Sequence, residues 1–273
     1  MKEVVLDIPH GGEEMPEEVN VHLHPDITRV DLLNEADLFS REFYREQGGI
    51  PDRNKNYFDI WRTIIDANRE LTDLRRDGII KSATVKLKPL YRDAKRLPPE
   101  LEQHLVGKYA KPYYDQLSAT VGRPETKLVV LGHTMEPVGP VGGIKPGESR
   151  PLVNLANGGD LVGNPNQPYQ ASREVMEYVR DEIESKLSML NLNGVTYNGQ
   201  AVSFNTPFPG KKSIARIGAE ALRGKTALMF EINKSIVVDS TDTEIHDLRP
   251  ENIPAMRKIL HDIIEGVLGK ITE

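Results

Sequence analysis

Four short apolar runs punctuate the chain: Val4 to Ile8, Trp61 to Ile65, Lys127 to Leu131 and Thr226 to Ile232. Their continuity, without alternation, is the pattern of strands buried on both faces of a parallel sheet. Between them, apolar residues recur at helical spacing. Asp31 stands just before a stripe of Leu32, Ala36, Phe39 and Phe43, close to a helix N-terminus where a cap is expected. Leu97, Leu101, Leu105, Tyr109, Tyr113 and Leu117 follow at i+4 steps, and Pro112 predicts a bend within that helix. Two further amphipathic helices are predicted from about Ser172 to Leu190 and from about Pro250 to Leu268.

Runs alternating with helices predict an α/β fold, one domain over 1–273 with a mostly parallel central sheet and helices on both faces. Two stretches escape this periodicity. Residues 135–151 gather Pro137, Gly139, Pro140, Gly142, Gly143, Pro146 and Gly147, and are expected to form a surface loop or lid at the active site. Asn154 to Gln170, rich in Asn and Gly, is expected to be loop as well.

Composition narrows the chemistry. The 273 residues are 38% hydrophobic and 28% charged, which allows a sizeable core. No run approaches the roughly 20 apolar residues of a membrane span, and the first strand begins too early for a signal segment. A cytoplasmic protein with no membrane partner is expected. Cysteine is absent, so disulfides and thiolate chemistry are excluded, and any metal must be held by histidines and carboxylates. A formal charge of -6 spread without acidic blocks argues against nucleic acid, whose binding rests on a basic face, and for a small-molecule partner. Nothing in the pattern fixes an oligomeric state.

Ligands of open parallel sheets bind beyond the carboxyl ends of the strands. His10 follows the first run, Asp66-Ala67-Asn68-Arg69 the second and His133 the third, while Glu231 lies near the end of the fourth. Two histidines, an Asn-Arg pair and a glutamate are thereby expected on one rim. Imidazoles with a carboxylate are the donors a catalytic zinc site needs when no thiolate exists. Glu231 is the candidate to take a proton from an activated water and pass it to a leaving amine. Arg69, Arg92 and Arg216 are candidates to clasp a substrate carboxylate, because the guanidinium fork matches one. His22, His24, His104, His246 and His261 lie in polar stretches or on helix surfaces and are set aside. A metal- or carboxylate-binding protein without turnover would use the same residues, and a structural domain is the blandest alternative.

At these positions the sequence resembles the N-formylglutamate amidohydrolase (deformylase) family, distant relatives of the zinc carboxypeptidases and aspartoacylases. Ile8-Pro9-His10-Gly11-Gly12 is similar to that family's opening strand end, and Ile65-Asp66-Ala67-Asn68-Arg69 to its DxNR segment. Pro89-Leu90-Tyr91-Arg92-Asp93 with the helix through Tyr109 and Tyr114, Val129 to Thr134, and Met229 to Asn233 are similar to later elements in the same order. The resemblance implies a zinc-carboxypeptidase-like fold, with His10 and His133 as ligands of Zn2+ or another divalent metal and Glu231 as catalytic acid and base. It favours Asp31 as third ligand, with Glu13 in an HxxE pattern as the alternative. It also implies that Asn68 and Arg69, assisted by Arg92 and Arg216, hold the substrate carboxylate.

The activity so implied is metal-dependent hydrolysis of the amide of an N-acyl amino acid, with N-formyl-L-glutamate giving formate and glutamate. A carboxypeptidase-like or other deacylase activity on a related amide is the enzymatic alternative. Thr134 in place of a serine, the 135–151 loop and the Asp73 to Gly78 segment depart from the family pattern, and are expected to border the substrate pocket.

Overall fold

The computed structural model describes residues 1–44, 48–92, 96–195, 201–239 and 247–272. Six strands form one mixed, mostly parallel sheet: β1 (Val4–Ile8), β2 (Lys55–Tyr57), β3 (Leu128–Met135), β4 (Val153–Ala156), β5 (Val202–Phe204) and β6 (Thr226–Asn233), in the order β2-β1-β3-β6-β4-β5. The first four strands in that order are parallel; β4 runs antiparallel to β6, and β5 parallel to β4.

Every residue of β1 and β3 is buried, because helices cover both faces. On one face Val4, Leu6, Ile8, Val130 and Phe230 pack against α3 (Ser40–Tyr44), α6 (Arg173–Lys186) and α8 (Asn252–Thr272). On the other, Val5, Val129, Leu131, Ala227 and Met229 pack against α5 (Lys111–Val121) and α7 (Lys211–Ala215). No helix among the described residues is long and apolar enough to cross a membrane.

Three of the four apolar runs are strands; Trp61 to Ile65 is not. The amides of Ile64 and Ile65 both donate to the Trp61 carbonyl, at 2.9 and 3.1 Å, closing a turn. Trp61, Ile64 and Ile65 are spaced i, i+3, i+4, a helical turn's spacing, and all three sink into a second core with Phe58, Ile80 and Leu105. The strand on the outer side of β1 is the short β2. The expected loop from Asn154 likewise begins as β4, whose antiparallel pairing with β6 satisfies its backbone.

The stripe from Leu32 to Phe43 is split between α2 (Arg29–Glu35) and α3, with Ala36 extended and Phe39 in the left-handed region at φ 64°. The long helix near Pro112 is broken as expected, but as a π turn over Val106–Ala110 joining α4 (Pro99–Leu105) to α5. Pro112 has no N–H for the carbonyl four residues back and its ring crowds that carbonyl; a wider turn relieves both.

Candidate active site

The parallel register of β3 and β6 sets His133 directly beside Glu231, both on the face covered by α5 and α7. His10 leaves the end of β1, next to β3. All three are buried and line a cavity of about 540 Å³ at the carboxyl ends of the strands. The turn after His10 depends on glycine: a Cβ on Gly12 would lie 2.2 Å from the Asp59 carbonyl, so only glycine lets this turn pass the 58–59 backbone.

The carboxylate that joins the histidines is Asp37, which the helix break turns inward. Its amide donates to the His10 carbonyl at 3.2 Å. Its Oδ2 lies 3.3 Å from His10 Nδ1 and 2.9 Å from His133 Nδ1, and its Oδ1 accepts from Arg62 Nη1 at 3.0 Å. Burial alone would raise the Asp37 carboxyl, but His10, His133 and Arg62 together hold it well below the usual carboxylate range. The expected third members, Asp31 and Glu13, stand outside this group. Asp31 Oδ2 closes a capping box with Thr28 and pairs with Lys88 at 2.7 Å, and Glu13 is a half-exposed partner of Arg29 at 2.6 Å.

Behind His10, Nε2 lies 2.7 Å from Asp66 Oδ1, which also accepts from the Asn68 amide at 3.0 Å. Burial would raise Asp66 too, and Arg69, His10 and Arg62 hold it far down, so it is an acceptor for an Nε2–H. The His10 ring then presents a bare Nδ1 toward Asp37, buried without a hydrogen bond, and Nε2 of His133 is likewise buried and without a bond. Burial lowers the His133 pKa and keeps its ring neutral. Two imidazoles and an ionised carboxylate, with ligand atoms all within 4.8 Å of one another and a carboxylate supporting one ring from behind, fit a divalent cation.

Glu231 is in the opposite condition. Burial and the adjacent Asp37 charge push its carboxyl well above the usual range, with Arg62, Arg150 and Lys234 offsetting only part. Among the expected arginines, Arg69 lines the cavity but is braced by Asp77 at 3.1 Å and Asp66 at 3.5 Å. Arg216 is fully buried, paired with Asp7 and seated over Tyr113 and Tyr114. Its Nε donates to Asn68 Oδ1 at 3.1 Å, which leaves the amide end of Asn68 as the donor at the cavity wall. Arg92 is exposed, donates to the Leu23 carbonyl at 3.0 Å and takes no part in the cavity. His246 and Asp93 lie outside the described residues.

The profile of the N-formylglutamate amidohydrolase family matches residues 2–238. The chain belongs to the N-formylglutamate amidohydrolase family. The fold agrees with that membership. An N-formylglutamate amidohydrolase from Ralstonia eutropha JMP134 superposes with a TM-score of 0.68 at 18% identity, covering 98% of this chain and 95% of that one. A gene product of Agrobacterium tumefaciens gives 0.62 at 16% identity, covering 100% and 92%. No curated protein compared with the chain matches it in sequence.

Within this family fold, sequence reasoning missed Asp37, Arg62, Lys81, Arg150 and Lys234, all of which line the cavity. Arg62 was hidden inside the run taken for a strand. Lys81 is buried among Glu35, Asp66 and Asp77 at 3.4 to 3.7 Å, in a segment without periodicity. The Gly/Pro-rich loop borders the cavity through Pro140, Gly142, Gly143 and Ile144, and Arg150 stands at its end.

Proposed function

We propose that this protein hydrolyses N-formyl-L-glutamate to formate and glutamate at a divalent metal held by His10, Asp37 and His133. The observation that carries this reading is the buried His10–Asp37–His133 group set beside Glu231 at the base of the cavity. When bound, a zinc ion supplies Lewis acidity, polarising the amide carbonyl and bringing a water's pKa from 15.7 to about 7.

The protein's own residues do the rest. Glu231 takes a proton from the attacking water and delivers it to the amide nitrogen as the C–N bond breaks, leaving formate and a free amine. A carboxyl raised by burial and by Asp37 holds a proton more readily than an ordinary glutamate, which suits a group that accepts a proton from water and returns it to the amide nitrogen. Arg62 fixes the inner carboxylates from the side opposite the histidines. Asn68, oriented by Arg216, and Arg69 supply donors at the wall, and the 135–151 loop serves as a lid.

Glu231→Gln tests the assignment. The variant is expected to lose about 10²- to 10⁴-fold in formate release while binding zinc at the wild-type stoichiometry. Undiminished turnover would remove Glu231 from the mechanism.

A further inference from the structure

The cavity is walled by cations, and all but one of those buried there already have a carboxylate. Arg62 pairs with Asp37, Lys81 with Glu35 and Lys234 with Glu136. Arg150 is 5% exposed and, among the described residues, has no such partner. Its Nη1 and Nη2 reach only the carbonyls of Glu136 and Ile144, both at a long 3.4 Å, and its Nε is buried without a bond. The guanidinium lies over the Phe208 ring, its carbon 4.9 Å from the centroid, and lines the same cavity as Glu231.

Its backbone is held firmly. The Arg150 amide donates to the Pro137 carbonyl at 2.9 Å, and its carbonyl accepts from Asn233 Nδ2 at 3.3 Å, two residues beyond Glu231 on β6. A buried guanidinium left with two weak bonds is expensive to maintain unless a ligand completes it. The fork that remains open, with the stacked aromatic beneath it, matches one planar carboxylate.

We infer that Arg150 is an anchor for a substrate carboxylate, adding at the base of the loop to Asn68 and Arg69 and taking the assisting role expected of Arg92 and Arg216. The inference deepens the N-formylglutamate reading and rests on it for the identity of the substrate, but not for the binding of a carboxylate. Burial draws the Arg150 pKa down against the partial support of Glu231 and Glu136, as expected of a cation short of counter-charge.

The test has two arms on the zinc-loaded protein. In the first, calorimetry measures glutarate, a plain dicarboxylate, binding to wild type, Arg150→Gln and Arg150→Lys. Binding is expected to weaken about 10- to 100-fold in Arg150→Gln, and less in Arg150→Lys, which keeps the charge and loses the fork. Wild-type binding that Arg150→Gln leaves unchanged, or no wild-type binding, overturns the inference.

In the second arm, formate release is compared for N-formyl-L-glutamate, N-formyl-L-glutamine and N-formyl-4-aminobutyrate. A rise in KM with N-formyl-L-glutamate that disappears for whichever analogue lacks the anchored carboxylate supports the inference and identifies that carboxylate. An equal loss across all three overturns it in favour of a purely structural role in the loop. Arg150-dependent glutarate binding in a protein that hydrolyses none of the three would retain the anchor and discard the proposed substrate. Arg150→Lys keeps the comparison available if Arg150→Gln does not fold.

Discussion

Asp37 and Asp31 are separated by one helix and two very different fates. Asp31 uses its carboxylate locally, on Thr28 and Lys88, as an N-terminal acid of α2. Asp37 is delivered to the histidines by a chain reversal that needs Phe39 at φ 64°, a conformation unfavourable by about 1–2 kcal/mol for a residue with a Cβ. Sites hold such strain when surrounding packing fixes it, and the buried Phe43 and Tyr44 just beyond do so here. Asp37→Ala is accordingly expected to lower zinc affinity by more than about 100-fold, beyond the range typical of groups that only support a ligand. Asp31→Ala should leave zinc binding intact and cost about 0.3–1 kcal/mol of stability as an acid in the first turn of α2, measured by urea unfolding. The supporting role of Asp66 predicts about a 10- to 100-fold loss in zinc affinity for Asp66→Asn. That His10, His133 and Glu231 meet at one rim is legible because each ends or nearly ends an apolar run. Asp37 is not, since the break itself, Ala36 to Phe39, holds no Gly, Asn or Pro.

Among the elements, the ends of β1 and α7 are joined by the buried pair Asp7–Arg216, with Tyr113 of α5 donating to the same carboxylate. This junction sits one layer behind the cavity and holds Asn68 through Arg216. Removing one partner strands a buried charge, so Asp7→Asn should destabilise the protein by about 3–5 kcal/mol in urea unfolding. The π turn before Pro112 belongs to the same construction, since Tyr113 and Tyr114 follow it and meet Asp7 and the Ala67 carbonyl. Gly132 marks another contact between elements: a Cβ there would meet Ile8 and the Tyr44 ring at 2.5 Å. The continuous runs of β1, β3 and β6 and the helical stripes of α6 and α8 are legible in the sequence. Trp61 to Ile65 mimics a strand because its apolar continuity masks an i, i+3, i+4 spacing, and β2, β4 and β5 are each too short to show a pattern.

Across the whole molecule, the order β2-β1-β3-β6 places the ends of the three longest parallel strands side by side, so one rim collects His10, His133 and Glu231. The -6 net charge says little of the cavity, where Arg62, Arg69, Lys81 and Lys234 stand beside carboxylates and, among the described residues, Arg150 does not. A sum over the chain conceals this because each acidic partner is spent within the wall. A metal that binds only the folded chain stabilises it by mass action, about 4.1 kcal/mol at 1,000 times its Kd. Zinc at that excess should therefore raise the melting temperature of the stripped protein by about 8–16 °C, as read by calorimetry.

The most direct measurement is formate release from N-formyl-L-glutamate before chelation, after it, and after zinc is returned. Stoichiometric formate that stops on chelation and recovers with about one zinc per chain is the predicted result. Turnover that survives complete removal of metal, or a zinc-loaded protein that releases no formate, would contradict a metal-dependent N-formylglutamate amidohydrolase built on His10, Asp37 and His133.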